Sequence, residues 1–257
     1  MKQIFSAIFR TIWKRKETQI YLSFTLFSLV YLIASFFGKS NFMQISIPES
    51  QGISNLTFMD IMVNSIDGFI LPTLALYFLT FSVFKKELDD HTMFLYRDLH
   101  RSRIFMSKYF SLILVSIIFY LLFFIISTVV YYLRVVNMPI GSGGFMESTL
   151  IGNLQTFLDL LSFLMRDVLS ITIATVMCLY FNIGATMVTG VILTITMMLT
   201  PVIGGPVALL FPSGYTQLSI EGLTGAGLAY LGAIGVTLVY VLVFTKIAAK
   251  KFKNLEF

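Results

Sequence analysis

Positive charge in this 257-residue chain is concentrated in three short segments. Of its 18 Lys and Arg residues, five lie in residues 2–16, six in residues 85–108 and four in residues 246–253. Long apolar stretches separate these segments, and Tyr109–Leu133 carries no charged residue. Charge is costly inside hydrocarbon, and short loops rich in Lys and Arg stay on the cytoplasmic side of a membrane. The pattern therefore predicts a multi-pass protein of the cytoplasmic (inner) membrane with both termini in the cytoplasm.

The composition excludes several other classes. Charged residues make up 12% of the chain and the mean hydropathy is +0.86, whereas a soluble domain is roughly 25% charged. The net charge of +5 comes from residues that flank apolar stretches, so we expect the lipid bilayer, and no nucleic acid, as the partner of these cations. A single cysteine, Cys178, leaves no intrachain disulfide to form.

We predict an all-α integral membrane fold, a single transmembrane domain over residues 1–257 with six spans. A helix of about 20 residues crosses the ~30 Å hydrocarbon core. The predicted spans are 19–38, 61–84, 109–133, 157–181, 185–203 and 226–246. The apolar segment 201–225 is rich in Pro and Gly, which favours short helices or a re-entrant segment at the outer face.

The chain begins with an amphipathic pattern over residues 1–17. Its apolar residues recur at helical spacing, with Ile8 and Ile12 on one side and the single Trp13 at the end. Such a helix suits the headgroup plane of a bilayer. It is either a plain anchor or an elbow helix that moves with the first span.

The predicted cytoplasmic loop 85–108 mixes charges of both signs with apolar residues. Met93, Leu95 and Leu99 lie among these charges and predict a short helix that docks on a cytosolic partner. The alternative is a solvated loop with a small packed turn.

Motifs for several kinds of chemistry are missing. The sequence has no phosphate-binding Gly-x-x-x-x-Gly-Lys-Ser/Thr, no His-Glu-x-x-His and no Gly-x-Ser-x-Gly. His91 and His100 have no cysteine nearby, and we interpret them as solvated loop residues and not as a metal site. We therefore expect no enzyme activity, no cofactor and no metal on this chain.

Polar residues inside the spans form a second pattern. Asp60, Asn64 and Asp67 share one helix face at i, i+4 and i+7. Helical rise places Asp67 about 27 Å, and Arg166 roughly 24 Å, from the inner side of the membrane. They are predicted to form a structural ion pair, to be wetted at the outer interface, or to form an outer gate for an amphipathic substrate.

Small residues form a stripe on the fifth span. Thr186, Gly190 and Thr194 recur at i, i+4 and i+8. Such a stripe lets helices approach closely. Close packing within the chain explains it, and a dimer face or a pathway face is equally consistent.

The cytoplasmic loop also carries a recognisable order of residues. These are Phe84, Glu87, Thr92, Leu95, Leu99, Ser102, Arg103 and Lys108. In this order they resemble the loop after the second span in permease subunits of type-2 ATP-binding-cassette (ABC) exporters. Two positions depart from that pattern: His91 stands where Gly is usual, and Leu99-His100 replaces a Pro-containing dipeptide. The resemblance covers the whole chain in architecture and residues 84–108 in motif.

The resemblance implies a coupling helix near Asp90–Arg101 that fits a groove on a separate cytosolic ABC ATPase. The coupling residues it implies are Glu87, Thr92, Met93, Leu95, Leu99, Ser102 and Arg103. Two ATPase copies would hold the ATP and Mg, and this permease would form a homodimer or a heterodimer with a related permease.

The expected function is ATP-driven export of a hydrophobic or amphipathic substrate, such as an antimicrobial or toxin peptide, because the chain looks most like short bacterial peptide-export permeases. Two alternatives stay open at this point. One is a membrane sensor or assembly protein that binds a partner through the loop without transport. The other is a secondary transporter.

Overall fold

The computed structural model describes residues 2–37, 52–89 and 100–254 of the chain. Within these ranges the regular secondary structure is helical, joined by one isolated bridge between Ile53 and Gly141. The longer helices are α1 (Lys2–Trp13), α2 (Lys16–Ala34, with a 3-10 turn at Phe24–Leu26), α3 (Asn55–Asp67), α4 (Leu71–Lys86), α5 (Arg101–Leu133), α6 (Leu150–Tyr180), α7 (Ile183–Ile203) and α8 (Leu223–Lys253).

Five of these helices are long and apolar enough to cross a membrane: α2, α5, α6, α7 and α8. The pair α3 and α4 passes the same test only when taken together, since the two helices are bent by 67° at a short break. The described chain therefore has five candidate spans, or six if the bent pair is one span. These helices indicate a membrane protein.

The second span predicted at 61–84 corresponds to the bent pair α3 and α4. The helix ends at Asp67 and resumes at Leu71, and between them Ile70 adopts a left-handed conformation with φ of 62°. Pro72 lies in the first turn of α4, where its missing N–H leaves no hydrogen bond unmade. A straight-helix count therefore does not give the depth of Asp67.

Other helices extend beyond their predicted limits. α5 begins at Arg101 and not at 109, α6 begins at Leu150 and not at 157, and α8 covers Leu223–Lys253 where 226–246 was predicted. Helices of this length are about 47–50 Å long, longer than the ~30 Å hydrocarbon core. Hydropathy marks where a helix meets hydrocarbon and not where its hydrogen bonds end. Helix α4 ends in a π turn at Ser82–Lys86, and a helical turn at Glu87–Asp89 follows it directly. The non-helical part of the predicted loop 85–108 is therefore shorter than predicted.

Contacts between helix termini define two ends of the bundle. At the basic end, which holds the starts of α2 and α5 and the ends of α4 and α8, Arg101 Nη1 donates to the carbonyl of Lys253 at 2.8 Å. At the opposite, distal end, the hydroxyl of Tyr131 donates to the carbonyl of Ile53 at 2.7 Å. The described chain enters α2 and leaves α8 at the same end, as an even number of crossings requires.

Helix α1 packs part of its apolar face against protein. Ile8 and Ile12 are buried in the main hydrophobic core, and α1 lies against α5. Trp13 is 40% exposed, and its ring lies 5.9 Å from that of Phe9, tilted by 35°. The hydroxyl of Thr18 donates to the carbonyl of Ile12 at 2.6 Å and closes the corner between α1 and α2.

The segment 201–225, predicted as short helices or a re-entrant segment, lies at the distal end of the bundle. A helical turn at Gly205–Ala208 leads into the 3-10 segment Pro212–Glu221, which packs against α6 and α8. A Cβ on Gly232 of α8 would lie 2.1 Å from the ring of Tyr215. This glycine therefore lets the segment approach α8 closely.

Candidate functional site

A buried group of charged side chains joins three helices at the basic end. Glu87, just after α4, forms ion pairs with Arg15, between α1 and α2, and with Lys108 of α5, whose Nζ lies 2.6 Å from Glu87 Oε2. Arg15 Nη1 donates to the hydroxyl of Ser82 at 2.8 Å, and that hydroxyl donates to Glu17 Oε1 at 2.9 Å. We call these five residues the Glu87 cluster.

Lys108 is the most enclosed member of the Glu87 cluster. Its side chain is 2% exposed, and Nζ also donates to the carbonyl of Val83 at 2.8 Å. The rings of Phe84 and Phe252 lie 5.6 and 6.0 Å from this ammonium group. A buried cation is tolerated when it is paired and hydrogen-bonded, so Glu87 is what allows a lysine here.

The π turn at Ser82–Lys86 contributes backbone acceptors to the same group. The carbonyl of Ser82 accepts a hydrogen bond from Arg15, and the carbonyl of Val83 accepts one from Lys108. The Glu87 cluster thus contains two carboxylates and two cations. Arg15 Nε is the one buried side-chain atom of the cluster without a hydrogen-bond partner in the described part of the chain.

A second polar site lies within the bundle toward the distal end. It is a cavity of about 310 Å³ lined by residues of α3, α6, α7 and the 3-10 segment, and we call it the acidic cavity. Its lining residues are Asp60, Asn64, Asp67, Asp159, Ser162, Phe163, Arg166, Met197, Met198, Pro201, Ser213 and Thr216.

One wall of the acidic cavity holds an ion pair. Arg166 Nη1 lies 2.7 Å from Asp67 Oδ2, and the Arg166 side chain is 9% exposed compared with 19% for Asp67. The guanidinium carbon of Arg166 lies 5.5 Å from the centre of the Phe163 ring. Arg166 Nε is buried and has no hydrogen-bond partner in the described structure.

The other two carboxylates of the acidic cavity lack such a cation. In the described ranges neither Asp60 nor Asp159 forms an ion pair. Asp60 Oδ1 is buried without a hydrogen-bond partner among the described residues. The lining of the acidic cavity thus contains three carboxyl groups, and Asp67 alone of them is paired with Arg166.

Asp167 belongs to neither site, although it follows Arg166 in the chain. Its Oδ2 accepts hydrogen bonds from the hydroxyl of Tyr21 at 2.7 Å and from that of Ser116 at 3.0 Å. One carboxylate thereby ties α2, α5 and α6 together. Successive residues point about 100° apart around a helix, which is why Arg166 and Asp167 serve different neighbours.

A family model described as "Protein of unknown function (DUF2705)" matches residues 18–257. The chain belongs to the DUF2705 family. The match includes the whole acidic cavity and the Glu87 cluster except Arg15 and Glu17. No curated protein matches the chain. No solved structure matches it.

The structure of this DUF2705 protein brings together some of the residues predicted from its sequence. Asp67 and Arg166 are in contact, and Asp60 and Asn64 line the same cavity as Asp67, as their helical spacing predicts. Thr186, Gly190 and Thr194 are buried within the bundle, where a Cβ on Gly190 would lie 2.9 Å from the Tyr77 ring. Close packing therefore accounts for this stripe.

The predicted coupling residues fall into two groups. Thr92, Met93, Leu95 and Leu99, with most of the predicted coupling helix, lie outside the described residues. Glu87 belongs to the Glu87 cluster, whereas Ser102 and the exposed Arg103 lie in the first turn of α5. In the described part of the chain no ion pair involves Arg103, and Glu87 pairs with Arg15 and Lys108 instead.

The sequence patterns do not identify Arg15, Lys108 and Asp159 as partners at these sites. Lys108 belongs to the recognised order of loop residues, but that order assigns it no partner. Their roles depend on which helices pack together, and no pattern within one helix reports that. A cation at the end of one span and an acid at the end of another is the signal that could have indicated the Glu87–Lys108 pair.

Proposed function

We propose that this chain is the membrane-spanning subunit of an ATP-driven exporter, powered through residues 90–99 by a separate cytosolic ATPase. The observation that carries the proposal is the Glu87 cluster. Glu87 precedes, by three residues, the segment that the ATPase would contact. The cluster joins the end of α4 to α2 and α5.

The linkage follows from the energy of buried ion pairs. Breaking a buried pair by removing one partner costs about 3–5 kcal/mol, because the remaining charge is left unpaired. Glu87 holds both Arg15 and Lys108. A push on the segment after Glu87 therefore moves α4, α5 and the α1–α2 corner together, as a rigid-body switch between inward- and outward-facing states requires.

In this proposal the ATPase subunits and the second half of the pathway are separate chains. ATP and Mg bind to two copies of the ATPase, since this sequence has no phosphate-binding loop of its own. A second copy or a related permease completes the pathway. The basic end faces the cytoplasm by the positive-inside rule, and α1 lies at that membrane surface as an elbow helix. The cargo is a hydrophobic or amphipathic molecule, such as an antimicrobial peptide.

Co-purification tests the partner directly. The protein is purified from its own membranes in mild detergent, and associated P-loop ATPases are identified by mass spectrometry. We expect an ATPase with the wild type and its loss when Met93, Leu95 and Leu99 are changed to Asp. Met146→Asp is the matched control, because Met146 is a 48% exposed apolar residue at the distal end.

The outcomes separate the possible functions. An ATPase retained by the triple variant, or lost equally from Met146→Asp, contradicts docking at residues 93–99. Stable preparations of wild type without any ATPase favour the sensor or the secondary transporter.

A transport assay tests coupling. Arg103 is exposed at the start of α5, next to the proposed docking segment. We expect Arg103→Glu to leave ATP hydrolysis in place and to abolish export. Normal ATP-dependent export by this variant would contradict the proposed role of Arg103 in coupling ATP hydrolysis to export.

The acidic cavity favours a second candidate, a secondary transporter. Carboxylates inside a bundle are the groups that couple transport to ions, and Asp60, Asp67 and Asp159 line one cavity. Proton-driven export would stop when the pH gradient is collapsed in the presence of ATP. ATP-driven export would continue under the same condition.

A further inference from the structure

The acidic cavity contains buried polar atoms of opposite kinds that the described protein leaves unmatched. Asp60 Oδ1 is a buried acceptor without a donor, and Arg166 Nε is a buried donor without an acceptor. Buried polar atoms in native proteins are nearly always satisfied, so each such atom points to a missing group. Three other buried side-chain atoms of the described residues also lack partners, but their residues do not line this cavity: Arg15 Nε, Asn55 Oδ1 and the hydroxyl of Tyr77.

The charges of the acidic cavity indicate which group is missing. Arg166 is already paired with Asp67 at 2.7 Å. Asp60 and Asp159 line the same cavity and have no ion pair in the described ranges. A cation between them would supply the donor that Asp60 Oδ1 lacks. The described residues contain no group of three or more His, Cys, Asp or Glu that could hold a metal ion.

The size and remaining lining of the cavity limit the ligand further. About 310 Å³ is at the lower end of the roughly 300–1,000 Å³ typical of small-molecule sites. It can hold one side chain or head group and not a whole peptide. Phe163, Met197 and Met198 also line it, and these side chains suit the methylene stem of a long cationic group.

We propose that the acidic cavity binds a primary ammonium or guanidinium group of an amphipathic peptide, held between Asp60 and Asp159. A carbonyl oxygen of the same ligand accepts the hydrogen bond from Arg166 Nε, while Asp67 keeps Arg166 in place. That this ligand is the exported cargo rests on the proposed function, whereas the binding itself requires neither ATP nor a partner.

Equilibrium binding to the purified full-length protein tests this site. Two fluorescein-labelled amphipathic peptides are compared by anisotropy, identical except that norleucine replaces a single Lys in one of them. We expect wild type to bind the Lys peptide about tenfold more tightly, the effect of one charge-assisted hydrogen bond. The double variant Asp60→Asn/Asp159→Asn should lose this preference.

Asp89→Asn is the matched control, because it removes the same charge from a side chain that is 56% exposed at the basic end. It should keep the preference for the Lys peptide. If the double variant does not fold, the comparison of the two peptides on wild type still decides. Equal affinities, or no binding of either peptide, would mean that water alone satisfies the cavity and would overturn the proposal.

The two proposals fail separately. A Lys preference that the double variant loses, in a protein that shows no ATP-driven export, supports the site and contradicts the proposed function. ATP-driven export by a protein that binds both peptides equally supports the proposed function and contradicts the proposed binding site.

Discussion

The Glu87 cluster and the acidic cavity both place an acid–base pair inside the bundle, but their charges are balanced differently. The Glu87 cluster sets Glu17 and Glu87 against Arg15 and Lys108. The acidic cavity sets three carboxylates against Arg166 alone and surrounds an open volume. The charges of the Glu87 cluster balance within the chain, whereas the acidic cavity has room for an additional cation.

The balance of charge distinguishes buried charged residues that hold helices together from those that bind a ligand. A buried charge that is fully paired costs little to keep and much to separate, which suits a mechanical link. An excess of one sign beside a cavity is unfavourable until a counter-charge arrives, which suits a ligand site. Three sets of variants test the distinction.

The largest effect is expected at the Glu87 cluster. Glu87→Gln removes the carboxylate that neutralises Lys108, whose side chain is 2% exposed, so we expect a loss of about 3–5 kcal/mol in unfolding free energy. For a chain of this size that lowers the melting temperature by roughly 10 °C. The double variant Glu87→Gln/Lys108→Met should recover part of the loss, because it also removes the buried positive charge. Fluorescence-detected size exclusion after heating measures all three proteins.

Asp89→Asn is the control for this set as well. Asp89 pairs with Lys85 at 3.4 Å, one turn away and in contact with solvent. Surface pairs of this kind contribute about 0.3–0.5 kcal/mol. If Glu87→Gln melted at the same temperature as Asp89→Asn, the Glu87 cluster would not be a structural link.

The contrast between the two sites was only partly predictable from the sequence. Asp60, Asn64 and Asp67 could be placed on one face because helical spacing fixes neighbours within a helix. Arg166 could be placed near Asp67 by counting helical rise, even though the bend at Ile70 invalidates the straight path assumed for Asp67. The structure places the two side chains in contact at 2.7 Å.

Partners between distant helices were beyond prediction. Arg15 lies 72 residues before Glu87, and its contact depends on how α1 and α2 meet α4. A rotation of one helix by a single residue position turns a side chain by about 100°, so composition and spacing leave these contacts undetermined. The apolar stretches of the five candidate spans were predictable, because a helix needs about 20 apolar residues to cross the hydrocarbon core.

A smaller effect is expected at the Asp67–Arg166 pair. Asp67→Asn leaves a polar side chain able to accept one hydrogen bond, in a cavity where Asp67 is 19% exposed. We expect a loss of about 1–3 kcal/mol, the cost of an unsatisfied charged group that water can partly reach. Arg166→Gln should fall in the same range, because it leaves the carboxylates of the cavity without a cation.

The same melting assay compares these variants with Glu87→Gln. Suppose the loss of unfolding free energy equals that of Glu87→Gln. The Asp67–Arg166 pair would then be as inaccessible to water as the Glu87 cluster, and the two sites would not differ in the way proposed. Export assays on the same variants test function. If Asp67→Asn and Arg166→Gln both leave export intact, the pair is structural and not an outer gate.

The smallest effect concerns the packed contact between the two sites. Gly190 of α7 faces the ring of Tyr77 on α4, and a Cβ there would lie 2.9–3.1 Å from three ring carbons. Because α4 carries Ser82 and α7 carries Met197, this contact connects the helix of the Glu87 cluster to the wall of the acidic cavity. We expect Gly190→Ala to cost about 1–2 kcal/mol by overpacking and to weaken binding of the Lys peptide.

Gly235→Ala is the control, since a Cβ at Gly235 of α8 meets nothing within 4 Å. It should leave peptide binding unchanged and raise stability by up to about 1 kcal/mol through helix propensity. Peptide binding that is unaffected by Gly190→Ala, in a protein that is nonetheless destabilised, would show that the cavity wall does not depend on this contact. The two sites would then be mechanically separate, and a push at the Glu87 cluster would have to reach the acidic cavity through α5 and α6 instead.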